Sequence, residues 1–381
     1  MNRALLSLLV LAACVDHQPD LWKGTTSLEV QLIAPADPGS QTNRLPPNTT
    51  NATIKVTAKD DQGAIDTTVN RDVDLYIQFL GTFTPDHVKA VPFQKITLTN
   101  GVSQPVTIDL PPTFGPTVLW VEDVEGADPS YSTGTSPQLW FRDPFIVDIQ
   151  KPVDETAVNA LEDSPLENKN VVVTASRYGA MGRLVVSGVY AQGYTLDDVK
   201  CADANGTPPC VAGDYDHAFI YSFSRASDQM GRVIRLGENV VGFQGAVSEF
   251  NGLTEVGFPQ SFVDDTTPHE NQITAPVKVD NTWFTNKIMF ERNEAGLVEV
   301  DGATLCPLDA DYTTYQQWKL DLGSGCKTAI NVITAGVVNF DPTTYVGKVI
   351  PKVIGTMRPI NIGSFNVWIL YPRFDQDLVL Q

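Results

Sequence analysis

The stretch Gly237–Pro259, GENVVGFQGAVSEFNGLTEVGFP, constrains the fold more than any other part of the chain. It reads as an apolar strand, a glycine (Gly245) where that strand must bend, a polar turn at Glu249–Gly252, and a second strand. Such a hairpin closes a small β-barrel, because long strands that coil around a barrel need glycine at their bends. A related stretch, Gly347–Arg373, lies near the C-terminal end, and its interval Gly347…Gly355 repeats Gly237…Gly245. Glycine and proline are plentiful elsewhere and long amphipathic helical runs are absent, which favours an all-β chain of short strands and turns. A length of 381 residues leaves room for two or three domains, each with its own core.

From Ser27 to about Gln150 the segments LEVQLIAP, ATIKVTAKD, DVDLYIQFL, QKITLTNG, QPVTIDLPP and PTVLWVEDV alternate apolar and polar residues, with LWFRDPFIVDIQ as the last strand. Turns such as Asp61-Gln62-Gly63 and Asn100-Gly101 separate them. About seven short strands at this spacing predict an immunoglobulin-like β-sandwich over residues 25–150, with Trp120 and Trp140 in its core. The Cys…Trp…Cys signature of true immunoglobulin domains is missing. Residues 151–170, KPVDETAVNALEDSPLENKN, are polar, acidic and proline-bounded, and read as a linker with room for one helical turn at Glu155–Glu162.

After the linker come Leu184–Val189, Tyr194–Val199, His217–Phe223, Val240–Val247 and Leu253–Phe258, five strands with Gly188 and Gly245 at bends. They predict an OB-like Greek-key barrel over 171–265, and the second set of strands predicts another over 266–381. The run Val185–Tyr194, the strand Asp216–Tyr221 and the hairpin Val247–Glu255 resemble OB-fold modules that accompany secreted bacterial nucleases and other extracellular multidomain proteins. Glu294–Val300 and Phe365–Asp377 resemble the first and closing strands of the partner module in those families. Asp264–Thr282 and Asp309–Thr314 fall outside the likeness and read as loops. The resemblance implies a fold and no activity, since OB barrels bind many things.

Met1–Cys14, MNRALLSLLVLAAC, has the layout of an export signal: a basic residue, a short apolar run, then small residues. Its ending, Leu11-Ala12-Ala13-Cys14, resembles a bacterial lipobox, which implies cleavage of residues 1–13 and acylation of Cys14. Residues 14–24 then form a tether, and two or three acyl chains anchor a protein stably where one does not. Asp16 stands one position beyond the place where an aspartate favours inner-membrane retention in that family, so the expected location is the outer membrane of a bacterial envelope. The other cysteines, Cys201, Cys210, Cys306 and Cys326, allow three disulfide connectivities. In an oxidising compartment local pairing, Cys201–Cys210 and Cys306–Cys326, is the expectation, because each pair lies inside one predicted domain.

No catalytic pattern stands out. Neither cysteine pair is C-x-x-C, no H-x-H or H-E-x-x-H occurs, and the Asp60-Asp61, Asp72/Asp74 and Glu122-Asp123 groups match no calcium loop, so no metal or cofactor is expected. The formal net charge of −19 repels phosphate backbones and disfavours nucleic acid as a partner. Tyr190, Tyr194, Tyr221 and Arg225 form the candidate ligand face of the first barrel. The expected function is that of a lipid-anchored envelope binding or scaffold protein, without an enzymatic role, whose partners are the membrane, through its acyl chains, and another envelope protein or extracellular ligand. Two alternatives remain: a divergent metal-dependent envelope hydrolase using carboxylates in a cleft between the barrels, and a surface nucleic-acid-binding protein.

Overall fold

The computed structural model describes residues 26–79, 92–155, 164–264, 267–334, 338–362 and 365–380. Cys14 and the lipobox lie outside them. The described residues divide into two compact units, one running to Arg142 and the other starting at Asp143. Both are built almost wholly from β-strands.

The first unit contains β1 (Ser27–Ala34), β2 (Asn51–Lys59), β3 (Arg71–Phe79), β4 (Gln94–Leu98), β5 (Val106–Asp109), β6 (Pro116–Asp123), β7 (Gly134–Thr135) and β8 (Leu139–Trp140). One sheet has the order β1-β2-β5, the other β4-β3-β6-β7 with β8 also on β6. Period-two alternation explains the burial. In β2, Ala52, Ile54, Val56 and Ala58 are buried and meet Val73, Leu75, Ile96 and Leu119 of the facing sheet in one core. Trp120 and Trp140 depart from the expectation of core tryptophans. Leu119 and Val121 take the inward positions of β6, so Trp120 turns outward and packs edge-on against Tyr76 at 5.2 Å. Trp140 is half-buried under the Arg44 guanidinium, 5.3 Å from its ring centre.

The expected last strand is also shorter than its pattern. Only Leu139–Trp140 pair with β6, whereas Ile146–Gln150 form a short helix in the second unit. Ile146 and Ile149 are buried, and the helix packs on the strand Val211–Tyr221 of the first barrel. Beyond it Ser164 donates its hydroxyl to the Ile149 carbonyl at 2.6 Å, and Asn168 N–H donates to the Val247 carbonyl at 2.9 Å, so the end of the linker is pinned to that barrel.

The first barrel comprises β10 (Gly182–Tyr190), β11 (Gly193–Lys200), β12 (Val211–Tyr221), β13 (Asn239–Phe250) and β14 (Leu253–Val263), with β9 (Asn170–Val173) added on β13. Its order β10-β11-β12-β14-β13 closes through a β10–β13 pairing, and β12 and β14 run parallel. This first-second-third-fifth-fourth circuit makes the barrel OB-like. Asn251 and Gly252, both at positive φ (55° and 82°), make the hairpin turn between β13 and β14. At Gly245 the register shifts, and a Cβ there would lie 2.6 Å from the Gly257 carbonyl oxygen.

The second barrel repeats the circuit with β16 (Leu297–Leu305), β17 (Gln317–Asp321), β18 (Ala329–Ile333), β20 (Phe365–Tyr371) and β19 (Val349–Ile362), closed by β16–β19, with β15 (Val277–Lys278) and β21 (Leu378–Val379) at its margins. Trp318, Leu320, Val300, Val332, Val353 and Leu370 fill it. Asp309–Thr314, expected as loop, holds the helix Ala310–Tyr315, which the Asp309 carboxylate caps by accepting the Asp311 N–H at 3.0 Å. Both disulfides form, Cys201–Cys210 and Cys306–Cys326, each within one barrel.

A candidate docking groove on the first barrel

The groove follows from strand parity on β12, β13 and β14. Ile220, Val247 and Val256 point into the barrel and are buried. Their neighbours Phe219, Ser248 and Glu255 stand on the outer face in matched register, Phe219 opposite Glu255 and Ser248 opposite Glu255. Two residues further along β12 comes Tyr221, and Phe223 follows beyond the strand end. Ser248, Glu255, Tyr221 and Phe223, together with Gln192, Phe250 and Phe258, line a groove of about 470 Å³. Phe223, Phe250 and Phe258 are 69%, 62% and 76% exposed. Their rings are clustered: Phe223 lies 5.4 Å from Tyr221 and 5.3 Å from Phe258. Phe258 reaches the outer face because its backbone takes φ +51°, a left-handed conformation that costs a bulky residue energy and breaks the inward parity set by Val256.

Glu255 is the one charged side chain among the described lining residues. Burial, with the like charge of Glu249 nearby, pushes its carboxyl up to about 7, although Arg358 and a hydrogen bond with Ser248 pull the other way. Arg358, on β19 of the second barrel, stacks its guanidinium over Tyr190, Phe219 and Tyr371, at 4.0, 4.2 and 4.9 Å from the ring centres. Its Nε and Nη2 have no hydrogen-bond partner among the described residues, so the rings carry this contact. The seam between the barrels is completed by Phe219, Leu253 and Ala295, and by a hydrogen bond between the Tyr190 and Thr356 hydroxyls.

The four residues expected to form one ligand face are therefore separated. Tyr221 lines the groove. Tyr190 is committed to the seam. Tyr194 is fully buried, its hydroxyl bonded to that of Ser261 at 2.7 Å, and belongs to the barrel core. Arg225 is exposed beyond β12 and does not line the groove. Glu255, Phe250 and Phe258 were not expected there, although the first two belong to the hairpin Val247–Glu255 singled out by its sequence. A signal was present: Phe250 is a large apolar residue directly at a polar turn.

A second arrangement has the residue types of a nucleophilic site without the geometry. Ser187 donates to Asp197 Oδ1 at 2.9 Å, and His217 Nδ1 meets the same oxygen at 2.9 Å. Aspartate stands between serine and histidine, so the ring is not placed to take the serine proton. Burial disfavours the charged ring, but Asp197 outweighs it and the proton affinity of His217 is raised. At the seam, Glu294 is buried and accepts the Thr254 N–H at 2.8 Å. Burial and the carboxylates of Glu291 and Glu249 hold its own carboxyl well above the ordinary range. Among the described residues no group of three or more histidine, cysteine or acidic side chains is arranged to hold a metal, and no helix is long and apolar enough to cross a membrane.

The chain matches no protein-family model, no curated protein and no solved structure. On the second barrel a further hollow of about 520 Å³ is lined by Phe290, Trp368, Lys287, Lys319 and Lys327, but Lys319 is already held by Asp309 and Asp311 at 2.6 and 2.8 Å.

Proposed function

We propose that this chain is a binding or scaffold protein of a bacterial cell envelope, tethered through an acylated Cys14, and that it docks a partner on the first barrel. One observation carries the docking face. Three phenylalanines that burial would stabilise by roughly 2 kcal/mol each are kept at the surface around one groove. Exposed apolar clusters of this kind mark contact surfaces. The strands beneath them are hydrogen-bonded into a closed barrel that is braced by the second barrel through Arg358, so the rings are presented on a rigid support.

The test uses the full-length protein in bacterial cells. Wild type is expected to fractionate with membranes and to give an acylated N-terminal peptide by mass spectrometry, and Cys14→Ser to be released. A photo-reactive residue at position 258 is expected to form a discrete crosslink that Phe223→Ser abolishes. Soluble, unacylated wild type would overturn the tether, and an absence of crosslinks from position 258 would overturn the docking face.

A further inference from the structure

The groove combines exposed aromatic rings with a single, poorly solvated carboxylate and has no basic residue in its described lining. Ring faces are negative, and an ionised carboxylate among them makes a receptor for organic cations. We propose that the groove captures a lysine or arginine side chain of a partner polypeptide, with Glu255 as its counter-charge and Tyr221, Phe223 and Phe258 as the walls. This rests on the docking reading above and adds the chemistry of the occupant.

Three observations favour a cationic polypeptide. Among the described residues Glu255 has no ion-pair partner within bonding distance; Arg358 acts on it only through space and spends its guanidinium on three rings. A cation brought in from solution would supply the missing partner. Next, the whole chain carries a net charge of −19, so its field draws basic segments and repels acidic ones. Finally, the exposed rings Phe223, Phe250 and Phe258 flank the carboxylate, and a small ammonium ion would leave them in water. A polypeptide inserting one basic side chain would cover them with its neighbouring residues, in the manner of an anchor with an apolar surround.

The experiment measures binding of fluorescent synthetic peptides, flanked by Gly-Ser and carrying Leu-Lys-Leu, Leu-norleucine-Leu or Leu-Glu-Leu, to the intact protein and to Glu255→Gln and Phe258→Ser. Circular dichroism and melting curves check that both variants fold, and Phe258, being exposed, is dispensable to the core. The lysine peptide is expected to bind best, to weaken by roughly tenfold in Glu255→Gln and similarly in Phe258→Ser, and to weaken with added salt. Equal binding of the lysine and norleucine peptides, indifferent to Glu255→Gln but lost in Phe258→Ser, would overturn the cation receptor and leave an apolar docking groove. Competition by tetramethylammonium at the affinity of the peptide would overturn the polypeptide as occupant. Binding of no peptide, or binding unchanged in both variants, would overturn the receptor, and the crosslink from position 258 then decides the docking reading separately.

Discussion

Arg373 of the second barrel donates Nη1 to the main-chain carbonyl of Ser187 in the first, at 2.7 Å. Its other nitrogens, Nε and Nη2, grip the two oxygens of Asp377 at 2.9 Å each, so a planar fork is pre-aimed by the carboxylate that neutralises it. Both side chains are almost fully buried. Because the ion pair is desolvated, breaking it by removing one partner leaves a buried charge behind, at a cost of about 3–5 kcal/mol. Arg373→Ala and Asp377→Ala are each expected to lower the stability of this unit by that order in urea titrations. The double substitution is expected to cost less than their sum, since each single variant strands a buried charge and the double variant strands none. Simple additivity would mean that the two side chains act independently.

Arg358 makes the opposite kind of contact, through ring faces instead of hydrogen bonds. A lysine at this position keeps the charge but loses the planar surface that lies over Tyr190, Phe219 and Tyr371. Arg358→Lys is expected to destabilise the unit by about 1–2 kcal/mol, and Arg358→Met, which keeps an apolar stem against the rings, by a similar amount. A fall confined to Arg358→Met would show that charge alone matters there.

How far the sequence reveals this molecule depends on which physical rule governs each segment. Period-two alternation and the glycine interval expose both barrels, because Gly245 and Gly355 stand where a Cβ would strike a neighbouring strand at 2.6 Å. The Asn251-Gly252 turn and the two disulfides are equally plain, being local. Ile146–Gln150 misleads, since a β-branched apolar run reads as a strand until packing on β12 selects a helix. The ligand face misleads for another reason. Tyr190 and Tyr194 flank the β10–β11 turn, yet one turns to the seam and the other into the core, and their types do not distinguish them. Phe258 is hidden most thoroughly, because its outward position comes from one left-handed residue that breaks strand parity.

Glu255 gives a pH signature whose sign is fixed. Its carboxyl releases its proton near 4.5 in the unfolded chain and near 7 in the folded one, chiefly because burial disfavours the charge. Between those values the folded state binds more protons, so the contribution of this group is fully present in acid and is lost as pH rises through about 7. Denaturation of wild type and Glu255→Gln in parallel isolates it from the other titrating groups. The stability of wild type relative to Glu255→Gln is expected to fall steadily as pH is raised across that window and to level off above it. A difference that stays constant with pH would mean that Glu255 is ordinarily solvated.

The two disulfides differ in access, and this orders their loss. Cys201 and Cys210 are both buried, whereas Cys306 is buried and its partner Cys326 is exposed. Thiol attack needs a reachable sulfur, so Cys306–Cys326 is expected to open first as dithiothreitol is raised under native conditions. Mass spectrometry after alkylation checks the order directly. The same bridge closes the longer loop, 20 residues against 9. On the chain-entropy account each bridge is worth about 3 kcal/mol, and the longer loop adds roughly 0.7 kcal/mol. Cys306→Ala with Cys326→Ala is therefore expected to destabilise the protein slightly more than Cys201→Ala with Cys210→Ala, provided packing responds alike. If the buried pair proves the costlier to remove, the difference measures the core contacts of Cys201 and Cys210 with Val185 and Val199, which loop entropy does not include.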